Sequence, residues 1–167
     1  MLPSLSDDRD ATVPLDRRAA PSSRIEPSDT AAYPLAVDES AIVSTLRSAC
    51  PDIQAIYVFG SVARGDARAD SDLDLAILCA RPLPAATRWE LQGQLATLAH
   101  RDVDLVDLRT ASAVLRVNVL DDAHLLHDGA PFERALFEAT ACADYARLQE
   151  ERRDILEQVA RDGRVYG

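Results

Sequence analysis

The sequence predicts an α+β fold, a small mixed β-sheet flanked by helices. Three observations carry this. Two apolar runs of strand length, Ile53–Phe59 and Leu73–Cys79, bracket a polar stretch. Segments with apolar residues at three- and four-residue spacing alternate with further short strands. The chain then closes on a long C-terminal helical pattern over 132–160.

Residues 1–36 hold five of the nine prolines (Pro3, Pro14, Pro21, Pro27 and Pro34) among Ser, Asp and Arg. Neither strand nor helix periodicity survives there, so a disordered or loosely attached arm is expected. It is either leader sequence or a segment that wraps a partner, and composition favours the former. Residues 37–167 are expected to form the folded domain.

In that domain Asp38 is placed to cap a helix whose apolar face is Ile42, Val43 and Leu46, ending before Pro51. Ile53–Phe59 reads as a buried strand, 61–65 as one helical turn and Leu73–Cys79 as a second strand. Pro82 and Pro84 mark a turn into a helix carrying Trp89, Leu91, Leu95 and Leu98. Trp89 and Tyr145 sit within amphipathic patterns and are expected in the core or an interface. A third strand is expected over 103–108, a helix over 111–120 and a short edge strand over 123–127. His124 and His127 read as surface or strand-end residues. Leu136, Phe137, Ala143, Leu148, Ile155, Leu156 and Val159 give the final helix its period, and its charged residues of both signs read as a solvated face.

Composition narrows the function. Net charge is −10 over 167 residues, which disfavours a generic nucleic-acid surface. No apolar run reaches membrane-spanning length, and the acidic, proline-broken start lacks a signal-peptide core. A cytoplasmic protein is expected. Cys50, Cys79 and Cys142 are scattered and read as buried or partly buried free thiols, and the three histidines have no zinc spacing.

The chemistry lies in one spacing. Gly60-Ser61 ends the first strand, and ten residues later Asp72-Leu73-Asp74 opens the second. Side chains alternate along a strand, so Asp72 and Asp74 share a face while Leu73, Leu75 and Ile77 take the other. Two carboxylates on one side suit Mg²⁺, a hard cation often shared with substrate phosphates. Gly60 has no Cβ and permits close backbone approach. Ser61 adds a hydroxyl and can cap the helical turn whose free N–H groups would face a phosphate. Arg64 and Arg68 lie within reach of the same anion, whereas Asp66 and Asp70 read as turn residues. The segment 103–108 offers two further acids, Asp104 and Asp107, on opposite faces; alternation alone does not choose between them.

These residues resemble the nucleotidyltransferase superfamily with the DNA polymerase β-like catalytic fold, whose signature is Gly-Ser, a short variable stretch, then Asp-x-Asp. The Ala63-Arg64-Gly65 and Ser71-Asp72-Leu73-Asp74 context is similar to the minimal nucleotidyltransferase (MNT) branch, over roughly residues 38–160. The resemblance implies a third carboxylate within the strand at 103–108, matched to Asp104. Asp72, Asp74 and Asp104 would then be the catalytic and metal-binding acids for two Mg²⁺ ions, with Gly60, Ser61, Arg64 and Arg68 at the nucleotide. It also implies an antitoxin that transfers AMP from ATP to a tyrosine hydroxyl of a cognate HEPN ribonuclease toxin, with no direct nucleic-acid substrate. Two alternatives stand beside it: an antitoxin that acts by occlusion without catalysis, and an aminoglycoside-type small-molecule nucleotidyltransferase.

Overall fold

The computed structural model describes residues 37–68 and 71–162. The N-terminal arm and Asp70 lie outside the described residues. Helix α1 (Glu39–Ala49) starts where expected: the Asp38 carboxylate accepts from the N–H groups of Ser40 and Ala41 at 3.0 and 3.3 Å. There follow β1 (Ile53–Phe59), the single turn α2 (Gly60–Ala63), β2 (Leu73–Cys79), α3 (Ala85–Ala99) and β3 (Val103–Asp107). The chain ends with α4 (Ala113–Asp122), β4 (His124–Asp128) and α5 (Pro131–Asp162). Helix α4 begins two residues later than its apolar pattern suggested. Ala111 is still held by the Asp107 carbonyl, and the Ser112 hydroxyl caps the helix by accepting from Leu115 N–H at 3.2 Å.

The four strands form one mixed sheet in the order β3-β2-β1-β4. Strand β1 is antiparallel to both neighbours, while β2 and β3 run parallel. A parallel pair needs a crossover, and α3 supplies it. One sheet face, with Ile56, Val58, Leu75, Ile77 and Leu105, packs under α1 and α3. The other, with Ala55, Tyr57, Ala76 and Leu78, packs under α4 and the start of α5. Cys50 and Cys79 are buried free thiols, and Cys142 is half-buried.

The fold places three sets of these side chains. Trp89, expected in the core or an interface, lies outside the core and is 76% exposed. The buried stripe of α3 is Leu91, Leu95 and Ala99, and Trp89 lies two residues from it, on another side of the helix. His124 opens β4 and His127 is next to its last residue, so both lie at strand ends, and both are half-buried. Finally, α5 buries only its first turns, through Phe137 and Ala141, and leaves Leu148, Ile155, Leu156 and Val159 exposed. Its 32 residues span about 48 Å at 1.5 Å per residue, well beyond strands of five to seven residues.

Helix α5 is fastened to the sheet by a polar cluster. Tyr57 Oη donates to Glu138 Oε1 at 2.9 Å, and Arg134 bridges Glu138 at 2.9 Å and Asp128 at 3.0 Å. Burial, then the neighbouring Glu138 charge, pushes the Tyr57 phenol well above its ordinary pKa, so it stays a hydrogen-bond donor.

Candidate active site

Strand alternation and sheet register assemble the site. Asp74 is the β2 residue paired with Phe59, the last residue of β1, and on its other side it pairs with Asp104 of β3. In-register neighbours project from the same sheet face. Asp72, Asp74 and Asp104 therefore lie on the face away from the α1–α3 core, at the edge where β1 turns into α2. Asp72 and Asp104 are exposed and Asp74 is half-buried.

Gly60 sits directly against Asp74. Its φ is +69°, and a Cβ placed there would lie 2.2 Å from Asp74 Oδ2. The glycine thus serves a carboxylate as well as whatever approaches the turn. Its positive φ, a conformation that side-chain-bearing residues rarely adopt, reverses the chain from strand into helix. The helix starts one residue earlier than expected, with Phe59 as its cap residue, so Ser61 is inside the turn and does not cap it. No side chain caps the start of α2.

Electrostatics mark the same spot. Burial first, then the charges of Asp104 and Asp72, raise the pKa of Asp74 above the ordinary 3.8, while Arg64 opposes them. Such crowding of like charge favours protonation or a cation. The donor set, all carboxylate oxygen, fits a hard divalent ion such as Mg²⁺. Among the described residues no three Asp, Glu, His or Cys side chains converge tightly enough to hold an ion unaided.

Arg64 and Arg68 differ. Arg64 Nη1 donates to Asp122 Oδ2 at 2.6 Å, and its Nε lies 3.7 Å from Asp66. The Asp122 hydrogen bond is the main reason its pKa is raised further above the ordinary guanidinium value. Arg64 is near the carboxylates but held from the side. Arg68 is exposed, and its backbone N–H donates to Ser71 Oγ at 2.8 Å; its side chain meets no partner among the described residues. Asp107, the rival third acid, is on the opposite face and 2% exposed. It is not solvated. Its carboxylate accepts from the N–H groups of Leu83 and Arg109, both at 2.8 Å, and so ties the start of α3 to the end of β3.

Sequence reasoning missed Asp122 and His124. Asp122 fixes Arg64, and His124 Nε2 lies 3.0 Å from the Ala63 carbonyl, securing the end of α2. Each partner is about sixty residues distant, beyond the range of any local pattern.

Residues 40–130 match the model of the polymerase beta nucleotidyltransferase family. The chain belongs to this nucleotidyltransferase family. It is 40% identical over 123 residues to the protein adenylyltransferase MntA of Shewanella oneidensis, covering 74% of this chain and 88% of that one. Its fold is similar to that of a toxin–antitoxin complex crystallised with AMP-PNP, with TM-score 0.67 and 39% identity over 74% of this chain and 99% of the other. It is also similar to a solved complex of a tri-AMPylated Shewanella oneidensis HEPN toxin with its MNT antitoxin. There the TM-score is 0.61 and identity 38%, over 73% of this chain and 95% of the other. The expected polymerase β-like fold and the resemblance to MNT antitoxins both stand. Among the described residues no helix is long and apolar enough to cross a membrane.

Proposed function

We propose that this nucleotidyltransferase is an antitoxin that moves AMP from ATP onto a tyrosine hydroxyl of a cognate HEPN ribonuclease toxin in the cytoplasm. The observation that carries the reading is Asp74, seated against Gly60 and in register with Asp104, in a chain 40% identical to a protein adenylyltransferase.

The acceptor oxygen attacks the α-phosphorus of ATP, a new P–O bond forms, and pyrophosphate leaves with the electron pair of the broken bond. Asp72, Asp74 and Asp104 would hold Mg²⁺, which supplies charge neutralisation for the triphosphate and Lewis acidity toward the attacking hydroxyl. Asp104, exposed at the outer strand, is the acid positioned to accept the hydroxyl proton. Backbone N–H groups at the uncapped start of α2, with the Ser61 hydroxyl, orient the β- and γ-phosphates. Arg64, braced by Asp122, offers its charge to the triphosphate, and Arg68 follows on the adjoining loop. Most of the acceleration comes from positioning and fixed charge, as in phosphoryl transfer generally.

The test incubates the protein with ATP labelled at the α-phosphate, Mg²⁺ and its cognate HEPN-domain protein. Label on that protein, abolished by Asp72→Asn and by Asp74→Asn, supports the reading. Neutralisation of the ribonuclease that persists in both variants without label replaces it with occlusion.

A further inference from the structure

Arg64 leaves the end of α2 with two acidic seats open to it. Its backbone N–H donates to the Gly60 carbonyl at 3.1 Å, so it stands one turn from the glycine against which Asp74 packs. The Asp74 carboxylate is therefore within reach of a side chain as long as that of arginine. Neither Asp74 nor its neighbours Asp72 and Asp104 form an ion pair among the described residues. The two charges feel each other. The Arg64 pKa is raised first by the Asp122 hydrogen bond, with Asp74 among the further contributors. Arg64 in turn opposes the burial and like charge that raise the pKa of Asp74. Opposite charges this near attract, and the pull grows as they close.

The guanidinium nevertheless lies elsewhere. Nη1 donates to Asp122 Oδ2 at 2.6 Å, and Nε is 3.7 Å from Asp66. Asp122 is the last residue of α4 and is half-buried, whereas Asp66 is exposed. A second contact fixes the place of Asp122 beside α2, since two residues on His124 Nε2 lies 3.0 Å from the Ala63 carbonyl. Ala63 and Arg64 are thus gripped together by the corner between α4 and β4. One acid in direct contact outweighs a cluster that the guanidinium does not touch. An arginine seated on the cluster would compete with a cation there and could not also meet a triphosphate.

We propose that Asp122 is a positioning residue that holds Arg64 off Asp72, Asp74 and Asp104, leaving these carboxylates open to a hydrated divalent cation before nucleotide arrives. This rests on the metal-binding reading of the three acids given above.

The probe is Mn²⁺ added to nucleotide-free protein, with paramagnetic broadening of the amide signals around Gly60 followed by NMR. Broadening registers weak binding by an ion that keeps most of its waters. Asp74→Asn is the control and should abolish it. Asp122→Asn removes the grip without changing side-chain size, and losing a surface pair costs little stability. It should weaken Mn²⁺ binding roughly fivefold or more. Arg64→Gln should bind at least as well as wild type, and the double variant should return to within about twofold of Arg64→Gln. Equal weakening by Asp122→Asn with and without Arg64 overturns the inference, because Asp122 would then act only as one more negative charge. Unchanged binding in Asp122→Asn, or a wild type that binds no Mn²⁺ without nucleotide, overturns it too. Each of these results leaves the proposed function to be judged by the labelled-AMP assay. Broadening that survives Asp74→Asn overturns the metal-binding reading and carries this inference with it.

Discussion

Replacing Gly60 by alanine separates backbone strain from displacement of the Asp74 carboxylate, because a second glycine provides the control. Gly60 and Gly65 have nearly equal φ, +69° and +75°. A Cβ at Gly65 meets nothing within 4 Å, whereas one at Gly60 lies 2.2 Å from Asp74 Oδ2 and 3.0 Å from its Cγ. A left-handed conformation costs a side-chain-bearing residue roughly 1–2 kcal/mol. Both variants should therefore lose about that much stability, a drop in Tm of roughly 4–8 °C for a domain of this size. The clash at Gly60 adds little to this, since the obstructing atom is the tip of a rotatable side chain. It acts on activity instead. Asp74 Oδ2 must retreat by about 1.2 Å to regain ordinary contact at 3.4 Å. Misplacement of a reacting group by about 1 Å costs on the order of 100-fold in rate. Gly60→Ala should transfer AMP about 100-fold more slowly than Gly65→Ala at equal stability. Thermal melts and initial rates on the folded proteins measure both quantities. Equal rates in the two variants would refute the claim that Gly60 exists to admit Asp74.

The two rival acids divide cleanly. Asp107→Ala strands the Leu83 and Arg109 N–H groups and should cost about 2–3 kcal/mol in denaturant melts, with activity retained by the folded fraction; Asp104→Asn should alter stability by less than about 0.5 kcal/mol and abolish transfer. Asp74→Asn should raise or preserve the Tm of nucleotide-free protein at pH 7 while removing activity. The raised pKa of Asp74 means that the folded state prefers it protonated. Its favourable contribution is present below the ordinary value of 3.8 and lost as pH rises through the folded value. The variant's advantage should accordingly shrink between pH 7 and pH 4, and a lower Tm at pH 7 would contradict this. Tyr57→Phe removes the bond to Glu138 and should cost about 1–2 kcal/mol, with hydrogen exchange fastest at the start of α5.

Much of this architecture could be read before any coordinates. The bounds of β1 and β2 follow from mainly apolar runs of strand length, and α1 from Asp38 and Pro51. The pairing of Asp72 with Asp74 needs only the two-residue repeat of a strand. What the chain alone left open was anything set by contact between distant segments. Asp104 and Asp107 stand among similar apolar neighbours, and only the parallel register with β2 puts the first beside Asp74 and turns the second inward. Arg64 looks like a free cation until Asp122 is found 58 residues away. Trp89 read as a core or interface residue from its amphipathic pattern, and the packed stripe, Leu91, Leu95 and Ala99, became evident only with the sheet in place.

The alignment of β2 with β3 has a cost for how this enzyme can vary. Asp74 and Asp104 belong to different strands, and nothing covalent joins them but the α3 crossover. A slip of one residue between the strands would not nudge Asp104 sideways; it would turn it into the oily layer beneath and bring Val103 or Leu105 up in its place. Loop lengths around α3 can drift, but only in ways that leave this pairing untouched, so half of the constraint on the Asp-x-Asp motif sits on a strand thirty residues downstream.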